Sequence, residues 1–166
     1  FHSVMDESTQ EEPIAWTPQD ARYRAGFKLE ELVEFLRAAS NSEEDFDSSV
    51  AYLHQALDKA ADKVRSKSQA EVSLVGQVDA LIDTLYFTYG SFVLMGVDPE
   101  QLFDIVHRAN MGKIFPDGKA HFDPVTHKIL KPDDWEEKYA PEGAIKEELE
   151  RQIQAYQRSI EQKEEN

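Results

Sequence analysis

Apolar positions along this chain recur at helical spacing in four stretches, and a fifth stretch is apolar on nearly every side. From Thr17-Pro18 to about Ala39, Leu29, Leu32, Val33 and Leu36 form a stripe, the three-to-four-residue recurrence of an amphipathic helix. Thr followed by Pro is a helix start, because proline at the first helical position lacks only an N–H that would have no partner there. Asn41 to Asp45 interrupts the pattern and caps a second helix, whose stripe is Phe46, Val50, Leu53, Leu57, Ala60, Ala61 and Val64, ending near Lys67. A third helix is predicted over about Ala70 to Met95. There Leu74, Val75, Val78, Leu81, Ile82, Leu85, Phe87 and Phe92 make the segment apolar on almost every side, and a helix apolar all round is expected to be buried.

Gly96-Val97 ends that helix, and Asp98-Pro99-Glu100-Gln101 reads as a capping box, with Asp as cap, Pro at the first position and Gln at the third. The helix it opens runs to Met111 and closes at Gly112, with Leu102, Phe103, Val106 and Ala109 as its core stripe. Phe115 to Trp135 then carries the turn signals Pro116-Asp117-Gly118 and Asp123-Pro124. Ala120-His121-Phe122 and Lys128-Ile129-Leu130 are predicted to pair as a short hairpin. A last helix from Ala144 to Glu161 has Ile145, Leu149, Ile153, Tyr156 and Ile160 in a stripe and frays beyond. Phe1 to Pro18 is acidic and irregular, an arm that Ile14 and Trp16 could anchor to the body or to a second subunit.

Charge narrows the partners. With 166 residues and a formal net charge of -15, the chain would be repelled by nucleic-acid phosphates. It suits hard divalent cations, which carboxylate oxygens bind. There is no cysteine, which removes disulfides, zinc-thiolate sites and thiol nucleophiles. No uncharged run is long enough to span a bilayer, and the N-terminus lacks the basic-then-apolar order of a signal peptide. A cytoplasmic protein with neither nucleic acid nor membrane as partner is expected.

The candidate chemistry lies in carboxylates. Asp79 and Asp83, four apart, point the same way on the apolar helix, about 40° apart around the axis; the plain alternative is an exposed acidic seam, against which the large apolar neighbours on both flanks count. A buried carboxylate needs a cation or donors. Glu30, Glu31 and Glu34 lie opposite the first helix's stripe, where a solvated face would be the ordinary reading. Phe27, however, falls between Glu31 and Glu34 by angle, so that side is not purely polar. Two carboxylate pairs, Glu31 with Glu34 and Asp79 with Asp83, would build a metal site if brought face to face, as helical bundles do. Oxygen-only donors favour Mg²⁺, with Mn²⁺ the other candidate. No Walker glycine loop, G-x-S-x-G elbow or zinc-spaced His pair is present. Lys119, Lys128 and Lys131 make a basic flap that suits a ligand carrying phosphates.

Glu-Glu-x-x-Glu at 30–34, followed by an acidic pair on an apolar helix, resembles the all-α nucleoside triphosphate pyrophosphohydrolases, the MazG-like and phosphoribosyl-ATP pyrophosphohydrolase-like proteins. Asp79-Ala-Leu-Ile-Asp-Thr-Leu-Tyr-Phe-Thr-Tyr-Gly90 and Val106-His-Arg-Ala-Asn-Met-Gly-Lys113 look like signatures of one branch, as do Asp117-Gly-Lys119 and Lys128-Ile-Leu-Lys-Pro132. The likeness covers roughly Arg22 to Trp135. It implies a helical bundle that forms dimers or tetramers, with Mg²⁺-dependent cleavage between the α- and β-phosphates to a nucleoside monophosphate and pyrophosphate. By position it makes Glu31, Glu34 and Asp83 metal ligands and catalytic residues. Ala80 stands where the pattern has a Glu, so Asp79 must substitute with a shorter side chain, and Glu30 is a candidate extra ligand. Asn110 and Lys113 match residues that hold the nucleotide or its phosphates; Arg108, Lys119 and Lys131 are further candidates.

The expected protein is therefore all-α, an oligomeric antiparallel bundle of four to five helices with an irregular or hairpin segment near 115–135. It is read as a single domain: an arm (1–18), catalytic helices (19–113), a flap (114–141) and a C-terminal helix (142–166). Two rival functions are phosphoribosyl-ATP hydrolysis in histidine biosynthesis and a non-enzymatic acidic assembly protein.

Overall fold

The structure is a computed structural model that describes residues 1–5, 9–67, 71–125 and 128–164. It is all-α. Among the described residues seven helical segments follow in order: α1 (His2–Met5), α2 (Pro18–Ala39), α3 (Glu43–Lys67), α4 (Leu74–Met95), α5 (Glu100–Met111), α6 (Trp135–Tyr139) and α7 (Glu142–Glu164). They fall into two units, residues 12–80 and residues 1–11 with 81–166, the division lying within α4.

In the 12–80 unit, α2 packs on α3. The predicted starts hold for local reasons. Thr17 Oγ1 accepts the Asp20 N–H at 3.3 Å, and Ser42 Oγ accepts the Asp45 N–H at 3.1 Å, the side-chain capping that satisfies orphan donors at a helix N-terminus. Val33 and Leu36 of α2 and Phe46, Val50 and Leu53 of α3 are half-buried. Across the connection the Arg37 guanidinium bonds Glu43 at 2.5 Å and lies 5.1 Å from the Phe46 ring centroid. The chain before α2 is tied down by an amide clamp: the Trp16 N–H donates to Gln77 Oε1 at 2.9 Å, and Gln77 Nε2 donates to the Trp16 carbonyl at 3.0 Å. Trp16 is thus anchored through its backbone, while its ring stays exposed.

The other unit packs α5 on α7. Here several expectations are corrected. The arm is not wholly irregular: α1 forms within it and Met5 is buried. The Asp98 box does not form: Pro99, expected at the first helical position, is the N-cap and its carbonyl accepts the Phe103 N–H. Asp98 Oδ1 accepts the Glu100 N–H at 3.1 Å, but the Asp98 N–H goes to Gln152 Oε1 at 2.9 Å, and Gln152 Nε2 returns to the Asp98 carbonyl at 2.9 Å. A residue 54 positions away thus fills the role expected of Gln101.

Gly112 does follow α5, but its φ of -63° is ordinary helix. Its reason for being glycine is proximity, since a Cβ there would lie within 2.7 Å of three Tyr139 ring carbons. α7 stays helical to Glu164 rather than fraying at Glu161, and α6 has no counterpart in the sequence reading. The hairpin does form, through one Phe122–Ile129 bridge and a Leu130 N–H donated to the His121 carbonyl at 2.8 Å.

The largest correction concerns α4. It begins at Leu74, with Ser73 Oγ accepting the Gly76 N–H; the expected start at Ala70 lies outside the described residues. None of its residues is buried, and Val75, Tyr86, Phe87, Val93 and Leu94 are 72–90% exposed. The apolar pattern correctly marks a surface that avoids water. It does not mean that the same chain covers it.

Candidate active site

Both carboxylate pairs lie on helices as their spacing predicts, but Asp79 and Asp83, expected to be buried, are exposed because nothing in the chain buries α4. Glu31 and Glu34 lie one turn apart on exposed positions of α2, with Glu30 beside them. Asp79 and Asp83 lie one turn apart on exposed positions of α4. Among the described residues, no group of three or more His, Asp or Glu stands together as a cation site. In donor type the two pairs fit a hard divalent cation, since every donor is a carboxylate oxygen.

The candidate substrate residues separate into two groups. α5 carries Arg108 and Asn110 about 200° apart around its axis. Asn110 and Lys113 come together: Lys113 Nζ donates to Asn110 Oδ1 at 2.8 Å, and both side chains are half-buried. Arg108 instead turns to a cavity of about 490 Å³ that it lines with Ile105 and Tyr139, and its Nε donates to the Asp104 carbonyl.

Lys131 is held from two sides. Its ammonium lies 3.6 Å from the centroid of the Trp135 ring and 3.0 Å from Glu136 Oε1. The Lys119 N–H helps shape the preceding turn by donating to Asp117 Oδ1 at 3.0 Å. Asp117 also accepts from His121 Nε2 at 2.9 Å, and the His121 ring stacks on Phe115. The His121 bond, then the Lys119 N–H, hold the Asp117 carboxyl below the usual aspartate value.

The residue that ties this region together is one the sequence reading passed over. Trp135, 5% exposed, donates its Nε1–H to the Ala109 carbonyl at 2.8 Å. Ala109 immediately precedes Asn110 and is itself buried. A lone Trp after a turn-rich segment was the available signal, since a buried indole N–H needs an acceptor.

The profile of the family described as phosphoribosyl-ATP pyrophosphohydrolase matches residues 1–110. The chain belongs to this family. Its members are hydrolases of phosphoanhydride bonds, and the chain is an enzyme of that class. Family membership leaves the non-enzymatic alternative without support. The fold is similar to the crystal structure of a provisionally assigned NTP pyrophosphohydrolase from Exiguobacterium sp. 255-15, with a TM-score of 0.84 and 36% identity over 93% of this chain and 92% of that one. No curated protein matches the chain. Among the described residues, no helix is long and apolar enough to cross a membrane. The family match stops at Asn110, so Lys113, Lys131 and Trp135 lie beyond it.

Proposed function

We propose that the chain is a cytoplasmic, Mg²⁺-dependent pyrophosphohydrolase of (d)NTP-like nucleotides, cleaving between the α- and β-phosphates to a nucleoside monophosphate and pyrophosphate. The observation that carries this reading is the extent of the two likenesses. The one to the Exiguobacterium NTP pyrophosphohydrolase runs nearly the whole chain, whereas the phosphoribosyl-ATP family profile stops at residue 110. The longer likeness supports reading the flap and its lysines as part of a triphosphate-binding site.

Glu31, Glu34, Asp79 and Asp83 would hold the cation, with Glu30 as an added donor. A bound Mg²⁺ supplies neutralisation of the polyphosphate and a more acidic water. Asn110, Lys113 and Lys131 hold the phosphates or nucleotide, and Arg108 contributes from its own side of α5. Glu31 or Glu34 orients water and takes its proton. Water adds across the α,β anhydride, and pyrophosphate leaves with the bridging oxygen or receives the new one, according to which phosphorus is attacked.

The working unit is a homodimer or homotetramer. α4 supports this, because its exposed apolar side chains form a contiguous face of the kind that marks an interaction site. A second copy of the same apolar helix is a matching cover. The carboxylates on α4 would then complete their site on association.

Pyrophosphate release is the test, over canonical and modified dNTPs with Mg²⁺ and with phosphoribosyl-ATP as the second substrate class. The family's own description favours that second class. Asp83→Asn and Glu34→Gln are each expected to lower turnover at least about 100-fold, since even outer partners of metal ligands cost 10–100-fold. Full activity in both variants refutes the site. Hydrolysis of phosphoribosyl-ATP alone moves the enzyme to the biosynthetic reaction.

A further inference from the structure

The geometry points to Trp135 as a positioning residue for the substrate's phosphates, joining the flap lysine to the end of α5. The inference rests on the proposed hydrolysis of nucleotides. Three observations in the 81–166 unit carry it. The indole N–H holds the Ala109 carbonyl at 2.8 Å and so fixes the last turn of α5. Asn110 and Lys113, bonded to each other, stand on that turn and just past it. The face of the same indole carries the Lys131 ammonium at 3.6 Å.

A cation over an indole face is held by the ring's quadrupole, most strongly for Trp. Lys131 is 44% exposed in its side chain, so the ring orders a charge that still reaches solvent. One rigid side chain therefore presets both phosphate-binding groups, the pair on α5 and the lysine on the flap. Ordering long side chains before binding removes an entropy cost that binding would otherwise carry. Glu136, 3.0 Å from Lys131, is the counter-charge that an incoming phosphate displaces.

Trp135 touches Lys131 and Ala109 rather than the reacting atoms, so its loss is expected in KM more than in kcat. It also carries its own reporter. The chain has two tryptophans, and Trp16 is tethered through backbone atoms that Trp16→Phe retains. In the Trp16→Phe protein, Trp135 emission is recorded during titration with an α,β-methylene dNTP and Mg²⁺. A saturable change is expected, at the concentration where calorimetry shows binding.

Lys131→Met is expected to remove most of that change and to raise KM about tenfold, with kcat within about twofold, as for loss of one ordered cation. Trp135→Phe keeps an aromatic face and is expected to stay closer to wild type in KM than Trp135→Leu, both compared at matched thermal stability. Calorimetric binding with unchanged Trp135 emission, or equal KM in the Phe and Leu variants, overturns the inference while leaving the hydrolase reading intact. A wild-type protein that neither binds nor cleaves any nucleotide defeats the function and the inference together.

Discussion

α4 is read from the sequence as apolar on nearly every side and α5 as a helix with one apolar stripe, yet it is the striped helix whose end the chain buries. Ala109 and Trp135 close on each other within the chain, through one indole N–H bonded to a helix carbonyl and an apolar ring body out of water. α4 carries more apolar side chains and buries none. Hydrophobicity measures how strongly a surface avoids water. It does not say which molecule supplies the cover.

The same contrast separates two kinds of tie. Gln77 and Gln152 each clamp a distant backbone with both ends of one amide, at Trp16 and at Asp98. Such clamps hold chain segments by direction, as hydrogen bonds do. They act wherever the partner strand of backbone lies, and no hydropathy pattern anticipates them.

Three substitutions probe the contrast. The largest effect is expected at Trp135→Ala. Removing a buried Trp costs about 3–5 kcal/mol, and here it also strands the Ala109 carbonyl. Denaturant unfolding should show that loss independently of protein concentration. A loss under about 1 kcal/mol would place Trp135 outside the core.

Leu85→Asp on α4 should behave differently. If a second copy covers this face, each protomer loses about 2 kcal/mol of apolar burial, and association weakens at least tenfold. Sedimentation should then show a shift to monomer, with thermal stability that depends on concentration. A wild-type protein that is monomeric at tens of micromolar would end the assembly proposal.

The smallest expected effect is a pH dependence at the Gln152 clamp. Bonds from Arg151 and then Gln152 lower the Glu148 carboxyl to about 2, from an ordinary value of 4.5. A depressed carboxylate stabilises the fold above its unfolded value. That contribution falls away as pH drops from about 4.5 through about 2. Glu148→Gln should flatten this acid limb of the stability profile while leaving the neutral-pH fold in place. An identical acid limb in the variant would detach Glu148 from the clamp's stability.

Much of the architecture was legible beforehand. Thr17-Pro18 and Ser42 start α2 and α3 because caps are local: a side chain and an N–H three residues on decide them. The hairpin around Phe122 and Ile129 was readable for the same reason, from turn residues close in sequence. Gln152 at Asp98, Tyr139 against Gly112 and Trp135 on Ala109 were not readable, because each joins positions 26 or more residues apart.

For the site, sequence spacing gave Glu31 with Glu34 and Asp79 with Asp83 as pairs along their helices. The bond from Lys113 to Asn110 came only with the structure. Periodicity and short-range side-chain chemistry thus determined the helices, their ends and the local pairs, since these depend on neighbours within a turn or two. Tertiary structure decided that Trp135 is buried in the core of its unit, that Arg108 leaves Asn110 for the Tyr139 side, and that no residue of α4 is buried among the described residues. Those outcomes depend on which distant surface arrives, and a linear pattern does not encode arrival.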